Sequence, residues 1–512
     1  MPSRFCPKAF VPRSAVLLFA AIALLITPPS SAVADDFVKA AELQQFAKLA
    51  ELLAGSADVN RKQNDGTTAL HWVVYHDDES AVNLLLKHGA DANSVNQYGS
   101  RPLALACTNG NASIVRKLLN AGADPAARLP GDETMLMIAA RTGRPSCVEL
   151  LLTDDTVADI NARDQSGQTA LMWAAAEGHA EVVDLLLSAG ADPAISLSSG
   201  FSAFFFAVRQ GNLDVVRVLL NAGQDVNAVM TPKRSGGKAV RKGTSGLVLA
   251  VENGHYELAA ALIDAGADLH DQRSGFTALH ALTWARKPNR GDGADGEPAP
   301  QGSGNVTSLQ FVRRVVEAGF DLNTRLHKGR SGRGVLNQTG ATVFFMAADT
   351  ADIALMKLLL ELGADPTIPN ADQATALHAA AGLGTKAPGE EAGTEEEALP
   401  AGRLLLELGF DVNAVDQNGE TPMHGAAYAS WPKMAQLLAD RGADIKIWHR
   451  KNKYGWTPLL IAQGHRPGNF KPAAATIDSI ERIMKSAGVQ PEAAGKFKGG
   501  NEYRTAPKPS AR

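Results

Sequence analysis

Twelve histidines make metal binding the first chemistry to test in this chain, because imidazole is a common ligand and its spacing is diagnostic. No His-Glu-x-x-His and no Cys-x-x-Cys occurs. Four histidines instead close one recurring phrase: Thr68 to His71, Thr277 to His280, Thr375 to His378 and Thr421 to His424. His179 and His255 each follow a glycine. Histidines that return in a fixed phrase answer to a structural period, so no metal is expected. The stretch GGKAVRKGT from Gly236 lacks the spacing of a phosphate-binding loop, and GTSG from Gly243 is not a nucleophile elbow. Asp292, Asp295 and Glu297 fall short of a calcium loop. Glycosylation sequons start at Asn111, Asn305 and Asn337, but would matter only in a eukaryotic secretory pathway. No catalytic set and no cofactor site emerges, so an enzyme is not expected.

The phrases sit in a longer period. The glycine of a Gly-[Ala/Gln/Phe]-Asp element falls at 89, 122, 190, 223, 266, 319, 363, 409 and 442. A base period of about 33 residues explains the spacing, with one degenerate element near Asp159 and inserted residues in the second half. The best-preserved unit, Asp164 to Asp192, reads as two short helices. Thr169 is placed to cap the first, and Gly178 to end it in a left-handed conformation. Val182, Val183, Leu185, Leu186 and Leu187 give the second an apolar stripe, and Gly190 stops it. One such unit cannot bury its own apolar face, so neighbours must stack.

These residues resemble the ankyrin repeat. The Thr-Ala-Leu-His and Thr-Pro-Met-His phrases, Gly178-His179 and the Gly-Ala-Asp elements carry the likeness, which covers roughly residues 60 to 465. It implies an all-α repeat fold, an ankyrin solenoid of about eleven helix-turn-helix units with β-hairpin fingers. It also implies that the phrase histidines bridge backbone groups of adjacent repeats. Residues 35–60 are expected to form an N-terminal capping unit, 61–488 the array and 489–512 a disordered tail. Within the cap, Val38 to Leu53 reads as one amphipathic stretch, and Ile477 to Met484 reads as the last second helix.

The first 34 residues read as an export signal. Arg4, Lys8 and Arg13 precede an apolar run from Ala15 to Ile26, and Ala32-Val33-Ala34 offers a cleavage site. Its Ala-rich character is of bacterial type and points to a periplasmic or secreted protein. Cys6 lies in the basic region and so does not mark a lipoprotein anchor. The formal charge of −4 becomes more negative without the signal, which argues against nucleic acid, and no membrane insertion is expected after cleavage. Cys107 and Cys147 fall on apolar positions, as buried thiols or, in an oxidising compartment, as a disulfide.

The family resemblance places partner contacts on finger tips and on the exposed side of each first helix. Here that gives Gln97, Tyr98, Gln165, Tyr454 and Trp456 on fingers. On first helices it gives Tyr75, His76, Asn109, Arg141, Glu177, Arg209, Gln210 and Tyr428. Phe201 and Phe276 are finger aromatics open to either contact or packing. Insertions fall at 230–242, 286–307, 325–336 and 384–399. The first and third lengthen fingers and are basic, with Lys233, Arg234, Lys238, Arg241 and Lys242, then Arg325, Lys328, Arg330 and Arg333. They are candidates for an edge that recruits an anionic patch on the partner. The fourth is acidic, with Glu390, Glu391, Glu395, Glu396 and Glu397, and belongs to the opposite end of the helices. The function expected is an exported scaffold for a protein partner. Its alternatives are a regulator or accessory subunit of an envelope enzyme, an effector delivered to a host cell, and a self-assembling structural array.

Overall fold

A first helix of seven to nine residues is too short to stand alone in water, so its ends and its neighbours must hold it. The computed structural model describes residues 36–55, 57–153, 159–234, 240–291, 298–466, 468 and 471–491. Residues 1–34, expected to direct export, Lys238, the acidic run at Asp292, Asp295 and Glu297, and most of the tail lie outside the described residues. The chain divides between Val240 and Arg241 into two compact units.

In the N-terminal unit the helices pair in chain order. They are α1 (Asp36–Glu42), α2 (Phe46–Ala54), α3 (Ala69–Tyr75), α4 (Glu79–Lys87), α5 (Pro102–Asn109), α6 (Ala112–Asn120), α7 (Met135–Thr142), α8 (Pro145–Leu152), α9 (Ala170–Glu177), α10 (Ala180–Ser188), α11 (Ala203–Gln210) and α12 (Leu213–Asn221). The capping stretch is a pair of short helices, turned at Gln44 with a φ of 58°. In the C-terminal unit follow α13 (Gly246–Glu252), α14 (Tyr256–Asp264), α15 (Ala278–Arg286), α16 (Ser308–Glu317), α17 (Val343–Asp349), α18 (Ile353–Glu361), α19 (Ala376–Ala380), α20 (Glu395–Glu407), α21 (Pro422–Ala429), α22 (Pro432–Asp440), the single turn α23 (Ile445–Trp448), α24 (Pro458–Ala462) and α25 (Ala474–Ser486).

The caps act as their residue types dictate. Thr169 Oγ1 accepts the Met172 N–H at 3.3 Å, and Asp352 does the same for Leu355 at 3.1 Å. Gly178 leaves α9 at a φ of 87°. Val182, Val183 and Leu186 of α10 are fully buried, while Leu185 and Leu187 are half-buried.

Three sets of hydrogen bonds recur between neighbouring repeats. His71, His280 and His378 use Nε2 to reach the carbonyls of Ser100, Ala341 and Glu420 at 3.1–3.2 Å. The Asn of the Asp-x-Asn turn clamps the following turn. Asn93 Nδ2 donates to the Gly122 carbonyl at 2.7 Å, and its Oδ1 accepts from Asp124 N at 2.8 Å. Fingers pass one backbone bond along, as from Gln97 N to the Asp65 carbonyl at 2.7 Å and from Gln417 N to the Asp372 carbonyl at 2.8 Å.

No sheet forms among the described residues, and each finger is a turn. Bridges such as Lys62 to Thr68 stay isolated, so the expected β-hairpins are not seen. The reason is visible in the hydrogen bonds. A finger closes on itself in a tight turn, as Asp164 N on the Gln168 carbonyl at 3.0 Å and Gly167 N on the Asp164 carbonyl at 2.8 Å, while the Gln165 N–H turns to the preceding finger. The acidic insertion is also shorter than its sequence suggests. Thr394 and Glu397 form a capping box, so Glu395 to Leu399 are the first turns of α20, where carboxylates favour a helix N-terminus.

The histidine bridge fixes a tautomer. Thr375 N–H donates to His378 Nδ1 at 3.1 Å, so Nε2 carries the proton given to the Glu420 carbonyl. Burial pushes this imidazole down to about 4 from 6.5. The folded ring therefore stays neutral while the unfolded ring protonates, and stability falls as pH drops from 6.5 towards 4. His378→Ala should cost about 2–4 kcal/mol at pH 7.5 by losing both hydrogen bonds and ring volume. Urea unfolding at pH 7.5 and pH 5 should show a smaller acid-induced loss in the variant than in the parent. Equal losses would assign the acid sensitivity elsewhere.

Candidate partner-binding faces

Three first helices of the N-terminal unit place a ring and a polar or cationic group side by side. Position seven past the cap is Tyr75 after Thr68, Arg141 after Thr134 and Arg209 after Ser202. Tyr75, 37% exposed, packs edge-on to Trp72 with centroids 5.9 Å apart. The Trp72 indole N–H is held by Gln63 Oε1 at 3.1 Å. Thr67, His71, Trp72, Tyr75, Asn96, Ser100 and Leu105 line a shallow recess there. Arg141 lies 5.1 Å from the Trp173 ring and pairs with Glu133 at 2.6 Å. Arg209 lies 4.8 Å over Phe201 and 5.2 Å over Phe206. Guanidinium groups stacked on rings bury their flat faces against the aromatic surface.

The expected contact residues divide accordingly. Tyr98 (58% exposed), Gln97, Gln165, Glu177, Gln210, Lys233 and Arg234 are on the surface. His76 and Asn109 are occupied in holding repeats together. His76 Nε2 contacts the Glu42 carbonyl at 2.9 Å, and Asn109 Nδ2 donates to the Val74 carbonyl at 2.7 Å. Phe201 packs under Arg209, which makes it an interior residue of the finger.

In the C-terminal unit several expectations fail. Tyr428 is wholly buried, because Glu420 accepts its hydroxyl at 2.9 Å and Arg466, itself buried, donates to its carbonyl. Trp456 is 5% exposed, packed against Tyr454 beneath Arg333. Phe276 is buried between Arg241 and Trp284. The third insertion is not a free basic edge. Arg330 pairs with Glu391 at 3.1 Å, Arg333 lies over the Tyr454 and Trp456 rings, and Arg325 is bound to the Gly340 and Pro369 carbonyls. Lys242 and Lys328 remain exposed. Basic finger insertion and acidic helix-end insertion therefore meet, because each neutralises charge that the other holds near apolar surface.

Three carboxylates that the motif reading passed over line this unit. Burial raises Glu252 to about 7, Asp349 to about 6 and Glu420 to about 7. Glu252 and Asp349 stand at the same repeat position as Tyr75, Arg141 and Arg209, and Glu420 stands just before the Thr421 cap. Aligning repeats by their caps would have exposed Glu252 and Asp349 as acids in a slot that holds Tyr75, Arg141, Arg209, Trp284 and Tyr428 in other repeats. Cys107 and Cys147 are both buried free thiols.

The comparisons agree with this architecture. A family model for ankyrin repeats (3 copies) matches residues 37–129, 136–230, 204–289 and 394–470, more than half of the chain. The stretch between, which carries two insertions, falls outside it. The chain is 40% identical over 99 residues to the ankyrin repeat and LEM domain-containing protein 1 homolog of Caenorhabditis elegans, 19% of this chain and 12% of that protein. It is 30% identical over 114 residues to human ankyrin repeat and SOCS box protein 6, covering 20% and 27%. The probable 26S proteasome regulatory subunit p28 of Saccharomyces cerevisiae is 26% identical over 133 residues, covering 25% and 52%. The chain thus spans about half or less of these relatives' lengths. The human ASB11 ankyrin repeat domain is a similar solved structure, at 26% identity and a TM-score of 0.38, covering 45% of this chain and 98% of that one.

Tyr428→Phe tests the buried Glu420 site. It removes one donor from a buried carboxylate and should cost about 1–3 kcal/mol at pH 8, where Glu420 is ionised. Below its raised value near 7 the folded carboxyl is protonated, so the cost measured by urea unfolding should shrink by pH 5.5. A cost independent of pH would mean that packing, not the carboxylate, governs the site.

Proposed function

This chain belongs to the ankyrin-repeat family, whose repeats generally mediate protein–protein interaction, and on that premise we propose that it is an exported scaffold that binds a protein partner. The partner meets the N-terminal unit on the side where Tyr75 with Trp72, Arg141 with Trp173, and Arg209 with Phe201 recur on alternate first helices. The observation that carries this reading is the row of stacked rings and guanidinium groups. Rigid aromatic and arginine side chains give large contact area at small entropic cost, which is why they dominate interface energetics. Tyr98 and the exposed finger residues Gln97 and Gln165 extend the row at its rim. The fingers and about eleven repeats supply the frame. Export rests on the basic, apolar and small-residue order of residues 1–34. The role is binding and not catalysis, and the described residues hold no group of His, Cys, Asp or Glu suited to a metal ion. Among them no helix is long and apolar enough to cross a membrane.

A photo-crosslinking residue at position 98, in the full chain expressed in its native compartment, should capture one discrete protein. Combining Tyr75→Ala, Arg141→Ala and Arg209→Ala should reduce that capture at least about tenfold. Undiminished capture by the triple variant would move the interface off this face. N-terminal sequencing of the same material should begin at Asp35; recovery of Met1 in an intracellular fraction would refute export.

A further inference from the structure

The third insertion crosses the C-terminal unit as a strap. It starts pinned to one finger, with Lys328 N donating to the Gly275 carbonyl at 3.1 Å and His327 N to Gln272 Oε1 at 2.9 Å. It ends packed against the fourth insertion, where a Cβ on Gly384 would come within 2.0 Å of Leu336 N. Val335 and Leu336 are buried there. Between these anchors runs Gly329-Arg330-Ser331-Gly332-Arg333-Gly334, with Ser331, Gly332 and Arg333 exposed.

This middle part is held by Arg330, whose backbone pairs with Gln338 at 2.8 and 3.1 Å, and by two guanidinium groups three residues apart. Arg330 Nη1 enters an acidic slot, donating to Glu391 Oε2 at 3.1 Å beside the Asp349 carboxylate. Glu391 is fixed there by Lys386 N–H, which donates to its other oxygen at 2.7 Å. Arg333 enters an aromatic slot, 5.1 Å from the Trp456 ring and 5.5 Å from Tyr454. Those rings lie 5.2 Å apart and are tilted by 37°, with Glu420 bearing on Tyr454 from behind. The slots are built largely by their own repeats, and the strap adds a backbone bond from Gly334 to the Tyr454 side chain. Glu391 and the two rings are held by their own repeats through Lys386 N, Asn452 and the Lys453-to-Asn418 backbone bond.

The occupant fits them imperfectly. Arg330 Nε is buried with no hydrogen-bond partner, a cost that a better ligand avoids. Three glycines in six residues make ordering of the strap entropically expensive. Its tethering, worth an effective concentration in the millimolar range, adds to these contacts in offsetting the losses.

We propose that the acidic and aromatic slots are a recognition site for a partner peptide with arginines at positions i and i+3, and that the strap occupies this site in cis as a stand-in. Carboxylates select for cationic side chains, and the paired rings select guanidinium over ammonium by stacking. This site lies on a different unit from the face proposed above and does not depend on it.

The test uses the full chain with Arg330→Ala and Arg333→Ala together, and a fluorescein-labelled peptide copying residues 326–337. Fluorescence anisotropy should show the double variant binding the peptide at least about tenfold more tightly than the parent, because the cis competitor is gone. Replacing both peptide arginines by alanine or by lysine should abolish most of that gain. Adding Glu391→Gln or Tyr454→Ala to the double variant should do the same. Equal binding by parent and variant, equal binding of the lysine peptide, or no binding by a variant whose melting matches the parent would each overturn the proposal. If the double variant is unfolded, Arg333→Ala alone should show at least a roughly threefold gain, since it leaves the Glu391 pair intact. Loss of the fold in that variant too would show the strap to be core, not an occupant, and would equally end the idea.

Discussion

Everything in this molecule depends on one shortage: a pair of helices seven to nine residues long has more apolar surface than it can bury alone. Stacking supplies the missing cover, but stacking also removes backbone carbonyls from water at every joint. Those carbonyls must be met, and the recurring residues are the ones that meet them. His71, His280 and His378 answer the carbonyls beside the next cap, Asn93 and Asn413 those at the turns, and Asn109, Thr142, His179 and Asn212 those at the helix ends. The period is thus a polar requirement as much as an apolar one.

The same shortage explains what the insertions do. In the C-terminal unit they do not hang in solvent as charged loops. Lys287 of the second insertion meets Glu397, Gly291 N–H donates to the Glu390 carbonyl at 3.0 Å, and Arg330 of the third meets Glu391. Arg286, the first residue of the second insertion, is bidentate on the buried Asp352 at 2.7 and 3.1 Å. Extra chain has been folded back as a second layer of contacts, with opposite charges at its seams. The N-terminal unit has no such layer among its described residues, and its stacked rings and guanidinium groups keep a surface to present.

Local grammar made the fold legible. Caps such as Thr169, left-handed exits such as Gly178 and stripes such as Val182, Val183 and Leu186 each act within a few residues, so sequence spacing suffices to read them. The sites were legible only in part. Tyr75 and Tyr98 are exposed as their repeat positions suggest, whereas Tyr428 and Trp456 share such positions and are buried. What covers them is a contact from residues 38 positions ahead, Arg466, and from a strap more than a hundred positions behind. No period encodes such pairings, because they join an insertion to a different repeat. The charge of the strap could be read; its neutralisation by Glu391 could not.

Burial shifts acids and histidines in opposite senses here, and this limits how the unit responds to pH. His280 and His378, held down to about 4, leave the folded state short of protons below 6.5, so acidification works against folding. Glu252 and Glu420, pushed up to about 7, bind protons in the folded state before the unfolded chain does, so the same acidification favours folding until the unfolded carboxyls titrate near 4.5. Between about 7 and 4.5 the two sets therefore oppose each other within a single unit. Glu420 belongs to both networks, since its carbonyl accepts from His378 and its carboxylate from Tyr428 and Asn452. A proton gained on its side chain leaves the histidine bridge through its backbone intact. The joint between repeats can thus tolerate a change of charge in the groove without losing the hydrogen bond that sets the stack.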